Sequence, residues 1–185
     1  IDPLRLERDI VAIDRAHGVT LVEGAGGLLV PIADDFTYLD LVRRLALPVV
    51  VVVGSKLGCV NHALLTLTTL ANAGARTLGY VLNSIAVDVA DTPSAESNRE
   101  LIAAFSKTSC LGIFPHVRAD SRDDDAHLAR LAETSLDLDV LAITVGERHQ
   151  TSRDAFLTGC AALAVLPLGR EAELAQIEAC FDRLQ

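Results

Sequence analysis

The 185-residue sequence contains no methionine and opens at Ile1, so a fragment or processed piece of a longer polypeptide is expected. It has no uninterrupted apolar run near the roughly 20 residues that a bilayer crossing demands. The first twenty residues, IDPLRLERDIVAIDRAHGVT, carry charges throughout, unlike a signal peptide. No membrane partner is expected, and the location expected is cytoplasmic. Positive charge is scarce, with 16 Lys+Arg against 25 Asp+Glu, and no basic stripe is interleaved with aromatic residues. That pattern argues against a nucleic-acid partner. Cys59, Cys110, Cys160 and Cys180 form no CxxC pair, which argues against a zinc cluster or redox dithiol and for free thiols in a reducing compartment.

About half of the residues are hydrophobic, enough for one compact domain of this length. In LRLERDIVAIDRAHG apolar residues recur every three or four positions, predicting a helix over about 3–17 that Gly18 ends. VTLVE then reads as a buried strand and LPVVVVVG as a continuous β-branched one. NHALLTLTTLANAG reads as a helix with a glycine stop, and ARTLGYVLN as a strand. SAESNRELIAAFSKTS predicts a helix with possible caps at Ser94 to Ser97, CLGIFPH a strand, and HLARLAETSLDL a helix beginning after the acidic RDDDA loop. This alternation implies an α/β fold, mostly parallel sheet flanked by helices. From about residue 140 the pattern is ambiguous. VLAITVG and AALAVLPLG read as strands with SRDAFLTGC and EAELAQIEACFDRL as helices, or the whole segment reads as helical. No linker separates this tail, so residues 141–185 are expected to extend the domain formed by 1–140.

In an open parallel sheet ligands gather beyond the carboxyl ends of the strands. Glu23 stands at such an end, followed by Gly24, Ala25, Gly26 and Gly27. A carboxylate there suits magnesium, and bare backbone lets amides approach phosphate oxygens. A tight turn beside a solvated acid explains the same residues. GSKLGCVNH ends the next strand and opens a helix whose N-terminus suits an anion, with Asn61 serving as a cap or as a ligand contact. His62 has no orienting carboxylate nearby in sequence and is read as structural. Asn83, at the end of GYVLN, offers a carboxamide able to read the edge of adenine, or to brace a turn. After CLGIF, a loop beginning at Pro115 would leave backbone groups available.

Taken together, VEGAGGLLVPIADDFTYLDLVRRLALPVVVVVGSKLGCVNHALLTLTTLANAG, GYVLN and LGIFP resemble dethiobiotin synthetase over roughly residues 5 to 140. VEGAGG alone occurs across related P-loop enzymes; KLGCVNH at this spacing narrows the likeness. The resemblance implies a P-loop NTPase-like fold and ATP- and Mg2+-dependent ring closure of diaminopelargonic acid with carbon dioxide, in a homodimer. By the same resemblance Glu23 binds magnesium and, with Gly24, Ala25 and Gly26, lines the nucleotide phosphates. Asn83 contacts adenine, Ser84 stands where the family often has Asp, and Pro115, His116 and Val117 pack along base and ribose. Gly58, Cys59, Val60 and Asn61 form the helix start that receives the substrate carboxylate across the dimer interface. The family's acid after the proline loop has two candidate counterparts, Asp120 and Asp123.

One family feature has no counterpart in the sequence. The family begins with a glycine-rich GTDTxVGKT-type P-loop, whereas Lys56 and Lys107, the only lysines here, lie outside any such pattern. The implied fold is therefore incomplete in these residues, as if roughly the first hundred of a family member were missing, and the chain alone is expected to be inactive. Two other readings follow from the same residues. One is a neighbouring enzyme, such as a cobyrinic-acid-synthase-like amidotransferase; the other is a P-loop-less regulatory or partner-binding domain.

Overall fold

A computed structural model describes residues 1–17, 19–85, 93–122, 124–142 and 162–168 of the chain. Its centre is a five-stranded, wholly parallel sheet in the order β1-β7-β4-β5-β6. The strands are β1 (Thr20–Glu23), β4 (Val49–Gly54), β5 (Thr77–Asn83), β6 (Cys110–Phe114) and β7 (Ala162–Leu168). The expected α/β fold with a parallel sheet is what the chain adopts.

β4 shows why its sequence takes the centre. All six of its residues are buried, and their side chains alternate between two cores. Val49, Val51 and Val53 join one cluster with Tyr80, Leu82, Ile102 and the inner face of α3 (Cys59–Asn72). Val50 and Val52 join the other with Val81, Phe114, Val117 and Leu128 of α5 (Asp125–Ser135). A strand covered on both faces needs apolar residues at every position, which a run of valines supplies.

The helix α1 (Pro3–Ala16) matches expectation, with Asp2 capping it through a 2.9 Å bond accepted from the Leu4 amide. Several boundaries differ from the sequence reading, α3 among them, which begins at Cys59 rather than Asn61. β5 begins at Thr77 rather than residue 75. The helix α4 spans Pro93–Ser106, so Ser94 and Ser97 lie inside it and cannot cap it, because proline already suits a first helical turn. α5 starts at Asp125, where the Asp124 carboxylate accepts from the His127 amide at 2.9 Å, so the acidic cluster does open the helix.

Between β1 and β4 lie elements that the sequence reading did not anticipate. A small antiparallel pair, β2 (Pro31–Ala33) and β3 (Phe36–Thr37), leads into α2 (Tyr38–Leu45). A capping box starts this helix: the Thr37 amide and hydroxyl both donate to the Asp40 carboxylate, at 2.9 and 2.7 Å. The T-x-x-D spacing was the available signal. Arg44 of α2 reaches Glu7 of α1 at 2.6 Å and stacks 5.3 Å above the Phe36 ring, tying the three elements together.

In the tail, the strand read over 161–169 is present as β7. The strand read over 140–146 is not what its described residues form: 140–142 are helical, as the alternative reading of the tail had it, and 143–146 lie outside the described residues. The expected helices at 152–160 and 171–184 lie outside the described residues.

Candidate functional site

Because every strand of the sheet runs the same way, β4, β5 and β6 end on one rim. Gly54 pairs with Asn83 and Asn83 with Phe114, so these three ends are level. The ladder continues one residue further, with the Ser55 amide donating to the Asn83 carbonyl at 2.8 Å and the Ser84 amide to the Phe114 carbonyl at 2.9 Å.

Side-chain alternation then divides the rim. Leu82 belongs to the α3-side core and Val81 to the α5-side core. Continuing that alternation puts Asn83 on the α5 side and Ser84 on the α3 side. Asn83 thus shares a face with Phe114 and Val117, which supports grouping it with the loop after β6. Ser84 does not share that face. Val117 is itself almost fully buried among core residues, and its carbonyl accepts from Arg122 Nε at 3.3 Å, which limits any ligand contact by Val117 to backbone. Pro115 and His116 are half-buried beside it. Of the two candidate acids further on, Asp120 lies exposed in a short 3-10 turn, accepting from Ser121 at 3.1 Å and facing Arg118 at 3.6 Å. Asp123 is outside the described residues.

Glu23 is exposed at the end of β1, but not level with the other strand ends. Val165 of β7 is flanked by Glu23 on one side and by Val50 on the other. Glu23 therefore lies abreast of Val50, the second residue of β4 and four residues short of Gly54, a stagger of about 13 Å at the usual strand rise. The chain makes up this distance through the loop after Glu23. Gly26 adopts φ +93°, a left-handed conformation that favours glycine, and an added Cβ would stand 3.1 Å from Val30 Cγ2.

That loop forms one wall of a cleft of about 630 Å³, lined by Gly26, Gly27, Leu29, Val30 and Pro31 and, from the opposite wall, by Lys56, His62 and Leu65 with their neighbours. α3 begins in this wall. Its N-cap is Gly58, at φ +89° and without a side-chain capping bond. Asn61 is consequently the third residue of the helix, and the reading of it as a cap is corrected: the left-handed glycine already turns the chain into α3. Cys59 is buried in the core and offers no side chain to a ligand, whereas Val60 is half-buried and Asn61 exposed. The sequence reading missed Lys56 and His62 as partners in one cleft. Each flanks the 58–61 turn, and only the turn brings them together.

Two serines add an unforeseen feature. Ser55 and Ser84 are almost fully buried, and among the described residues their hydroxyl oxygens have no hydrogen-bond partner. Both follow strand ends on the rim, where buried hydroxyls without partners are uncommon.

Among the described residues no group of three or more His, Cys, Asp or Glu could hold a metal ion. Glu23 offers one exposed carboxylate, a donor set that fits magnesium only when phosphate oxygens and water complete the coordination. No helix among the described residues is long and apolar enough to cross a membrane.

A family model described as an AAA domain matches residues 3–122. The chain belongs to this AAA-domain family. Among curated proteins, it is similar to the ATP-dependent dethiobiotin synthetase of Cellvibrio japonicus, with 44% identity over 115 residues, covering 62% of this chain and 49% of the relative. The corresponding protein of Aromatoleum aromaticum is 39% identical over 117 residues, covering 63% and 51%. Dethiobiotin synthetase 1 of Escherichia coli K12 is 36% identical over 107 residues, covering 58% and 45%. The chain thus spans about half the length of the curated relatives it matches. These similarities agree with the resemblance carried by VEGAGG and KLGCVNH.

Proposed function

We propose that this chain works in a dethiobiotin synthetase, closing the ureido ring of dethiobiotin from diaminopelargonic acid and carbon dioxide at the expense of ATP. What carries this reading is the similarity, at 36 to 44% identity, to three proteins named ATP-dependent dethiobiotin synthetases, beside a family match over residues 3–122 that takes in the cleft and the strand-end rim. Location in the cytoplasm goes with it.

In this reading the work divides between the two sides of the sheet. Asn83 and the backbone of Pro115 to Val117 hold the adenine end of the nucleotide. Ala25 and Gly26, exposed beyond the buried Gly24, offer amides to phosphate oxygens, and Glu23 supplies the protein carboxylate to magnesium, which when bound neutralises phosphate charge. The cleft between the 26–31 loop and α3 suits an extended aliphatic acid: Leu29, Val30 and Leu65 offer apolar walls, and Lys56 with the uncapped start of α3 attracts a carboxylate. Such a site works by positioning and by matching charge, and it needs no protein nucleophile.

Leu29, Val30, Leu57 and Leu65 are exposed in and around the cleft, with Leu57 fully so. An apolar rim of this kind supports a two-fold partner that covers the cleft and shares the substrate. Sedimentation of an active preparation should show a dimer that Leu57→Asp converts to monomer; a monomer at micromolar concentration for the unmutated protein counts against the shared site.

The activity test is incorporation of labelled bicarbonate in the presence of ATP, magnesium and diaminopelargonic acid. It is run on the chain alone and on the chain co-expressed with the part of the Escherichia coli relative that has no counterpart here. Activity is expected only for the pair. Within the pair, Glu23→Gln should lower turnover about a hundredfold or more while leaving the fold intact. No incorporation by the pair would overturn the proposed function, and a Glu23→Gln rate within about threefold of the parent would remove the magnesium assignment.

A further inference from the structure

The first four amides of an α-helix have no partners within it, and α2 places its four in two ways. The capping box satisfies two. The Thr37 amide donates to the Asp40 carboxylate at 2.9 Å, and the Asp40 amide to the Thr37 hydroxyl at 3.4 Å. The other two reach out of the helix. The Tyr38 amide donates to the Val30 carbonyl at 3.3 Å, and the Leu39 amide to the Leu28 carbonyl at 3.0 Å. The first turn of α2 therefore grips the loop that follows Glu23.

The neighbouring ladder is a weak alternative anchor. β3 has two residues, Pro31 opposite Thr37 brings no amide, and the register shifts between Pro31 and Ala33. Leu28 fixes the base of the loop, its side chain buried in the core, while Gly26, Leu29 and Val30 line the cleft. Val30 connects the two parts. Its carbonyl is held by α2, its amide closes a turn on the Gly27 carbonyl at 3.1 Å, and its Cγ2 stands 3.1 Å from where a Cβ on Gly26 would be. Where α2 holds Val30 thus decides where the cleft wall and the Gly26 backbone stand.

We propose that Asp40 is a positioning residue for the ligand loop. By holding Thr37 it keeps the Tyr38 and Leu39 amides aimed at Val30 and Leu28. It thereby sets both the apolar wall that an aliphatic acid meets and the backbone at Gly26 offered to phosphate. Asp40 lines no part of the cleft and acts only through Thr37 and these two amides. One carboxylate ties two ligand sites together, so its loss weakens both in step. The ligands are those of the proposed function, on which this role rests; the grip of α2 on the loop is tested without them.

The first arm of the test uses the 185-residue chain alone. Nuclear Overhauser contacts between the Gly26 α-protons and the Val30 methyls should be present in the parent and lost in Asp40→Ala. Asp40→Glu should restore them, because glutamate at the third helical position closes the same box. Contacts between Val53 and Leu82, direct partners in the sheet, report that a variant is folded. Should Asp40→Ala lose those as well, Asp40→Asn, which keeps an acceptor oxygen, takes its place. The second arm is the labelled-bicarbonate assay on the co-expressed pair. Asp40→Ala should raise the KM for diaminopelargonic acid and for ATP together, each at least about fivefold, with Asp40→Glu near the parent. A cap that only stabilises the fold lowers the active fraction and so the apparent kcat, leaving KM where it was. Asp124→Ala, which removes a side-chain cap from α5 on the other face of the sheet, should behave in that way toward diaminopelargonic acid. A Gly26–Val30 contact that survives in the folded variant, unmoved KM values, or no rescue by Asp40→Glu would each overturn the positioning role. If the pair makes no dethiobiotin, the proposed function falls and the first arm alone decides the grip. If it makes dethiobiotin with both KM values unmoved by Asp40→Ala, the positioning role falls and the function stands.

Discussion

Replacing Tyr80 with phenylalanine should weaken the protein at neutral pH and strengthen it in strong alkali. Tyr80 has no exposed surface, and its hydroxyl donates to the Arg99 carbonyl of α4 at 2.7 Å. Phenylalanine fills the same volume, so no cavity opens, and the carbonyl sits inside a helix whose own ladder also uses it. The loss is then one neutral hydrogen bond, about 1 kcal/mol. Burial, reinforced by the neighbouring Cys110 thiol, holds the Tyr80 phenol well above its ordinary pKa. A group whose pKa is raised by folding contributes stability that is complete below its unfolded pKa, about 10 for tyrosine, and that disappears as pH climbs toward the folded value. Through that window the parent loses up to about 1.4 kcal/mol per pH unit that the variant does not. The two terms cancel at about pH 10.7, above which Tyr80→Phe should be the more stable chain. The Cys110 thiol, also pushed up by burial, is present in both chains. Urea denaturation of both chains from pH 7 to 11 is the assay. A gap that stays constant across that range would refute the claim that the phenol is held un-ionised by burial.

Three further outcomes can be checked by denaturation. Gly112, at φ +140°, would carry an added Cβ only 2.0 Å from the Ser135 carbonyl oxygen, so Gly112→Ala should cost at least about 3 kcal/mol; a loss under about 1 kcal/mol would mean that the α5–β6 junction yields easily. Asp40→Ala should cost about 1 kcal/mol by removing the α2 capping box. Because its bonds from Thr37 lower the Asp40 pKa, that difference should be present above the ordinary carboxylate pKa and fade as pH falls through the folded value, and a deficit unchanged at acid pH would contradict it. Ser84→Ala removes a buried hydroxyl without a partner and should be neutral or stabilising by up to about 1 kcal/mol, whereas a clear loss would show that the hydroxyl is bonded in solution.

Local chemistry was legible wherever a short stretch of sequence decides its own conformation. The valine run of β4 needs burial on both faces and could only be an interior strand. The three- and four-residue spacing of α1 leaves one apolar face, and parallel strands separated by helices put Glu23, Gly54, Asn83 and Phe114 at carboxyl ends whatever the strand order. The sequence also determined which residue types stand there: an acid with glycines, an amide, and a proline loop. The tertiary structure alone decided what those ends do together. Backbone hydrogen bonds carry no side-chain signature, so nothing local foretold that residues 162–168 pair between β1 and β4, or that this pairing sets Glu23 back by four residues. The same holds for the cleft, where the left-handed turn at Gly58 swings Lys56 and His62 toward a loop some thirty residues earlier. Alternation along β5 already parts Ser84 from Asn83, as neighbours in a strand must be; only the packing of α3 and α5 decided which face each one meets. Spacing along a chain prescribes faces and ends; which faces meet is settled by pairing between segments far apart, where the free energy belongs to the assembled sheet and to no single stretch of it.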